Sequence, residues 1–202
     1  IYDRSTELVK EKLLKRFPYA ELIDTDLTMG LVDPEITDSL LVEKKNNLVF
    51  LESQNLNVIT SVSSLLNSQI SKERNINLLS TYRSETYENE NISYQQLGNL
   101  NFTYPSYFIP NYGDELNELN ALFIENFGKL PNKIALRGYE ITLDLILRTA
   151  HRRKLVKSID LGETSYFQNR FDYVNKEQGY INQSVFLVKH DDLEVLEIKS
   201  EK

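Results

Sequence analysis

The chain has no cysteine, which excludes disulfides, thiolate chemistry and any cysteine-based zinc site, and leaves the compartment open. Histidine is scarce too. His151 and His190 have no partner at a metal-ligand spacing and read as a helix end and a hairpin turn. Seven glycines, at 30, 98, 113, 128, 138, 162 and 179, are too scattered for a G-x-G-x-x-G or Walker-type phosphate loop. No apolar run approaches the roughly 18 residues of a membrane span, and IYDRSTELVK lacks the basic start and apolar stretch of a signal peptide. With 30 acidic against 23 basic side chains, the net charge of -7 disfavours nucleic acid or an anionic membrane surface as the main partner.

What is present is an ordinary globular composition, 41% hydrophobic and 26% charged over 202 residues, enough for one domain or two small lobes. Ile1 and Tyr2 read as the tail of a strand, and Asp3 or Ser5 as the cap of a helix near 5 to 17. The chain therefore starts in mid-element and reads as a portion of something longer. Pro18 stops that helix ahead of a short strand, AELIDTD. Asp33 and Pro34 start a second helix, which Asn46-Asn47 ends. LVFLES is an unbroken apolar run, the pattern of a strand covered on both faces; a helix at about 56 to 70 and a strand at 76 to 82 follow.

Strands alternating with helices of this length predict parallel pairing, hence an α/β fold with a mainly parallel open sheet and helices on both faces. LNFTYPSYFIP, with two prolines, suits an edge or a crossing segment better than a central strand. The next helix is capped by Asp114 and ended by Gly128 and Pro131. In RGYEITLDLILRTA, Arg137, Glu140, Asp144 and Arg148 recur on one helical face and apolar residues cover the rest, so the helix is expected to pack on several sides and to wet only its polar stripe. HRRK, at 151 to 154, reads as a solvated helix end. From 166 on, YFQNRFDYV, SVFLVKH and LEVLEI predict an antiparallel meander joined by NKEQGYINQ and DD. The expected divisions are 1–110 as an α/β lobe, 111–155 as a helical return segment and 156–202 as the strand meander.

Catalytic signals are few. Asp24 with Asp26, and Asp191 with Asp192, sit where aspartate ordinarily sits, after a strand and in a turn, and no serine lies in a G-x-S-x-G elbow. No catalytic residue, metal site or cofactor is expected. Ligands of open parallel sheets are met at the carboxyl ends of the strands. The residues leaving those ends are Tyr2 and Asp3, then Glu52, Ser53 and Gln54, then Thr81, Tyr82 and Arg83: aromatic walls, hydroxyl and amide groups, carboxylates and a guanidinium suited to a small polar or zwitterionic molecule. The same residues also read as helix caps at Glu52 and Gln54 and loop surface at Tyr82 and Arg83.

The order of elements, and above all FIENFGKLPNKIALRGYEITLDLI, resembles the second half of type I periplasmic binding proteins, the family of branched-chain amino-acid receptors and receptor ligand-binding regions. The family pattern has a helix ending in F-G-x-x-P, then an alanine, a Gly/Ala-Tyr-Asp step and an apolar helix; Glu140 stands here in place of the aspartate. The segment SYFIPNY is similar to envelope proteins of Bacteroidetes-type bacteria, in which such a domain often accompanies a LysM module. The resemblance covers nearly the whole chain. It implies the second lobe of a clamshell whose first lobe lies outside these residues, with ligand gripped by Tyr2, Asp3, Glu52, Ser53, Gln54, Tyr82 and Arg83. It further implies a non-catalytic, cell-envelope or periplasmic receptor, lipid-anchored in a longer form, for an amino-acid-like or peptidoglycan-derived molecule. A homo-oligomer is implied if the first lobe is missing, and the alternative is a peptidoglycan-associated interaction domain that keeps the fold without a pocket. The family's glycine-rich ligand loops are replaced by ESQN and YRSE.

Overall fold

The computed structural model describes residues 7–23, 31–109, 117–177 and 179–199. Tyr2, Asp3, Asp24, Asp26 and Asp114, singled out above, lie outside them. The chain forms two compact units, one from residues 1–105 with 187–202 and one from 106–186. Among the described residues no helix is long and apolar enough to cross a membrane.

Helix α1 (Glu7–Arg16) carries Glu7 in its first turn and Lys15 and Arg16 in its last, as the helix dipole favours. Of the strand expected at 20–26, the described part, 20–23, is not extended into a sheet. Asp33 caps α2 (Pro34–Leu40): its side chain accepts from the backbone N–H of Glu35 at 2.8 Å and of Ile36 at 3.2 Å, with Pro34 in the first turn. The helix ends earlier than the sequence predicts. Leu41 is extended, and Asn47 bonds to both backbone groups of Val42, at 2.8 and 2.9 Å, so the asparagine brackets the loop while its neighbour Asn46 opens a strand.

That strand, β1 (Asn46–Phe50), runs parallel to β2 (Asn75–Leu79) from Asn46 opposite Asn75 to Phe50 opposite Leu79. Helix α3 (Leu56–Ser68) crosses between them and buries Val58, Ile59, Val62 and Leu66. A 3₁₀ turn (Glu85–Glu88) and α4 (Tyr94–Asn99) lead to β3 (Thr103–Ser106), parallel to β2. In the second unit come α5 (Asn117–Phe127), α6 (Lys133–Arg152), a 3₁₀ helix (Leu155–Leu161) and two small antiparallel hairpins, β4 (Thr164–Ser165) with β5 (Arg170–Phe171) and β6 (Tyr173–Lys176) with β7 (Gly179–Asn182). The antiparallel pair β8 (Phe186–Asp191) and β9 (Glu194–Glu197) then joins the first sheet, giving the order β1-β2-β3-β8-β9.

The protein is thus mixed α/β, and three expectations need correction. There is no single meander: β7 lies inside the supposed connection NKEQGYINQ, and β8 and β9 leave the hairpins to complete a mixed sheet. β3 is a central strand. Its one proline, Pro105, is tolerated because the ladder is made ahead of it, where Ser80 N–H donates to Thr103 O at 3.1 Å and His190 N–H to Phe102 O at 2.9 Å. Among the described residues β1 is the edge of the sheet rather than a strand covered on both faces, and its Leu48 is 59% exposed.

The largest reversal is α6. Glu140, Asp144 and Arg148, the stripe expected to be wet, are buried, while Ile134, Tyr139, Ile146 and Leu147 are exposed. The second unit is built around charge. Arg148 Nε donates to Asp144 Oδ2 at 2.8 Å, and its two terminal nitrogens reach the carbonyls of Ser158 (3.1 Å), Gly162 (2.9 Å) and Phe171 (3.0 Å). Asp144 Oδ1 accepts from Thr164 Oγ1 at 2.6 Å and from Tyr166 OH at 3.0 Å. Glu140 accepts from the Gln168 backbone N–H at 3.0 Å and from Asn169 Nδ2 at 2.5 Å. The 3₁₀ helix and hairpins 155–176 supply most of these partners, so a short, loop-rich segment is fastened to one face of a helix by buried polar groups. At the far end HRRK behaves as expected: His151 and Arg152 lie in the last turn and Arg153, in the left-handed region, closes it.

Candidate functional site

The carboxyl ends of β1 and β2 lie side by side because the strands are parallel and in register. Glu52, two residues past β1, is buried; one carboxylate oxygen accepts from the Thr81 backbone N–H at 2.6 Å and the other from Thr81 Oγ1 at 3.0 Å. Burial pushes its carboxyl pKa above the ordinary value, and the two bonds from Thr81 oppose the rise.

Glu52 is therefore no helix cap, and neither is Gln54. Asn55 caps α3, accepting from Asn57 N–H at 2.9 Å, and the buried Ser53 Oγ accepts from Asn55 N–H at 3.1 Å. Gln54 is exposed, and its carbonyl accepts from Thr86 Oγ1 at 3.1 Å. Tyr82 is exposed as well, its carbonyl held by Ser80 Oγ at 2.8 Å.

Arg83 turns into a second group of side chains. It donates to Glu88 Oε1 and to Tyr94 OH, both at 3.3 Å, and its guanidinium lies 5.5 Å from the Tyr104 ring centre. The rings of Tyr94, Phe102 and Tyr104 surround His190 at 5.3, 5.6 and 5.9 Å, and Tyr87 stacks on Phe102 at 4.8 Å. Several buried polar atoms here find no hydrogen-bond partner among the described residues: Arg83 Nε, Ser84 Oγ, Tyr87 OH and both ring nitrogens of His190. Buried groups of this kind are normally satisfied, so such a concentration marks a place where water or a ligand belongs.

Of this group, sequence reasoning named only Arg83 as a site residue. His190 is in a strand and fully buried, not on a turn surface. A signal existed: Phe186, Val188 and His190 fall on one face at the two-residue period of a strand.

His190 is held neutral. Burial, with the Arg83 charge adding to it, lowers its pKa to about 4 from 6.5. The unfolded chain takes up a proton near the higher value and the folded chain only near the lower one. Stability present above pH 6.5 is thus lost as the pH falls toward 4, by about 2 kcal/mol at pH 5. Urea unfolding at pH 7 and pH 5 should show this loss, and His190→Phe, which keeps a ring but cannot be protonated, should lose about that much less. An NMR titration placing His190 near 6.5 would remove the basis of the expectation.

No family model, curated protein or solved structure matches the chain. What the strand ends can bind rests on their own side chains. A cavity of ≈ 600 Å³ reaches Glu52 from the α1 side, walled mainly by apolar residues such as Leu13, Phe17, Leu41, Val49 and Leu66. Ser53, Gln54, Tyr82 and Arg83 do not line it. Among the described residues no group of three or more His, Cys, Asp or Glu side chains could hold a metal ion.

Proposed function

We propose that the protein is a non-catalytic, receptor-like binding protein of the cell envelope, related in architecture to the second lobe of type I periplasmic binding proteins. It recognises a small polar molecule carrying a carboxylate at the carboxyl ends of its parallel strands. One observation carries the reading: unpartnered polar atoms of Arg83, Ser84 and Tyr87, just past the exit of β2, and of His190 on β8 gather around the rings of Phe102 and Tyr104. Arg83 Nε can only donate, and the two hydroxyls can donate, which suits a carboxylate such as that of an amino acid or a peptidoglycan stem peptide. Gln54 and Tyr82, exposed at neighbouring exits, would meet the remainder of the ligand. Tyr2 and Asp3 belong to the same proposal through the family resemblance alone.

Thermal unfolding against a panel of amino acids, sugars and peptidoglycan fragments tests it. A ligand present at about a hundred times its Kd stabilises the folded state by about 2.7 kcal/mol, a shift of several degrees. Arg83→Met should abolish the shift while leaving the far-UV spectrum unchanged. A second reading is a protein-interaction or peptidoglycan-associated domain that keeps the fold without a pocket. The capture of both Glu52 oxygens by Thr81 favours it, since that carboxylate is already engaged. Absence of any shift across the panel would establish this reading over the first. Hydrolysis of a panel member, lost in Glu52→Gln, would overturn both.

A further inference from the structure

We infer that the turn joining α6 to the 3₁₀ helix after it, residues 151–157, docks on an anionic lipid surface. From Thr149 to Lys157 every residue of the run TAHRRKLVK is exposed. Arg152, Arg153, Lys154 and Lys157 stand there without a counter-charge. No carboxylate occurs in the sequence between Asp144, which is buried against Arg148, and the exposed Asp160. Glu163, further on, is already engaged by Ser184 and Arg170. Among the described residues none of the four cationic side chains makes an ion pair. The dipole of α6 accounts for His151 and Arg152 in its last turn, but it fades within that turn and gives no reason for Lys154 and Lys157 beyond it.

Two further observations separate this turn from a solvated helix end. Its cations are interleaved with aliphatic side chains: Leu155 is 38% and Val156 62% exposed, directly between Lys154 and Lys157. A lipid surface engages both kinds of side chain, the cations at its phosphates and the aliphatic groups just beneath, whereas a soluble polyanion uses the cations alone. The turn is also held in shape from behind. Arg148 donates to the Ser158 carbonyl at 3.1 Å, Ser158 Oγ donates to the Leu155 carbonyl at 2.6 Å, and Arg153, with φ of 59°, turns the chain. Docking therefore orders little backbone that is not ordered already. The net charge of -7 does not decide this contact, because charges beyond a Debye length of about 10 Å are screened and a facing surface meets the local cluster.

The test is flotation of the 202-residue chain with vesicles of phosphatidylcholine containing about one-third phosphatidylglycerol, against vesicles of phosphatidylcholine alone. The expected result is association with the anionic vesicles only, released by high salt. Each cation contributes about fivefold to the partition constant, so Arg152→Gln with Arg153→Gln should weaken binding about twenty- to thirtyfold. Val156→Ser should weaken it severalfold, and all three positions are exposed, so circular dichroism of the variants should match that of the parent. Association with neither vesicle, equal association with both, or binding indifferent to the arginine substitutions overturns the inference. Binding that needs the arginines but ignores Val156→Ser overturns the lipid assignment in favour of a soluble polyanion. The strand exits belong to the other compact unit, and none of these outcomes bears on ligand binding there.

Discussion

Arg148→Ala is expected to unfold the unit formed by residues 106–186, at a cost of about 3–5 kcal/mol or more. Two losses add up. Asp144, fully buried, would lose its counter-charge while Thr164 and Tyr166 still donate to it, and the carbonyls of Ser158, Gly162 and Phe171 would lose the donor that gathers them. A typical domain has about 5–15 kcal/mol in total, so the remainder would not hold the hairpins in place. Arg148→Lys should rescue little, because one ammonium cannot reach carbonyls spread around a planar guanidinium.

The double variant Arg148→Met with Asp144→Leu separates an ion pair from a network. An isolated buried pair tolerates such replacement, whereas here Tyr166 OH and Thr164 Oγ1 would lose the Asp144 carboxylate and the carbonyls of Ser158, Gly162 and Phe171 the Arg148 guanidinium, so the double variant should stay well below the parent. The tyrosines report the same site: burial and Asp144 push the phenol pKa values of Tyr166 and Tyr173 up to about 12. Hydrogen exchange over 144–176, with denaturation followed by circular dichroism, is the measurement. Parent-like protection in Arg148→Ala would show that the network is dispensable.

The second large effect comes from one methyl group. In Gly98→Ala the new carbon would lie 2.1 Å from the carbonyl oxygen of Asp192 and 2.7 Å from that residue's nitrogen and α-carbon. The obstacle is backbone, at a turn residue already in the left-handed region with φ of 54°, so no side-chain rotation relieves it. The β8–β9 turn must move away from α4, disturbing the bond from His190 N–H to Phe102 O that joins β8 to β3. We expect a loss of about 3 kcal/mol or more, at or beyond the upper end of ordinary overpacking. A fall in the urea midpoint of less than about 1 kcal/mol in equivalent stability would mean that the turn yields easily.

These two sites show where the sequence was legible. The Asp33-Pro34 start of α2, the crossover helix α3 and the parallel pair β1 and β2 follow from caps, periodicity and apolar runs within a few residues of one another. Glu52, Ser53, Gln54, Thr81, Tyr82 and Arg83 followed from that topology, and the strand ends do carry them. What lay beyond local reading was long-range. Periodicity assigned Glu140, Asp144 and Arg148 to one stripe of α6 but could not say which stripe faces inward, because the partners that make a polar interior tolerable lie up to 29 residues away, as Asn169 does from Glu140. His190 was obscured in the same way. Its burial depends on Phe102 and Tyr104, which become its neighbours only when β8 settles beside β3.

That settling orders events during synthesis. β3 leaves the ribosome some eighty residues before β8, and until residues 186–191 emerge its far edge has no β8 to pair with. The loop-rich segment between them has time to assemble around Arg148 first, with only sequence-local closures to make. Cleavage or premature termination anywhere between 107 and 185 would leave that strand edge open to the next nascent chain, so truncated products of this protein should aggregate rather than fold as smaller soluble pieces.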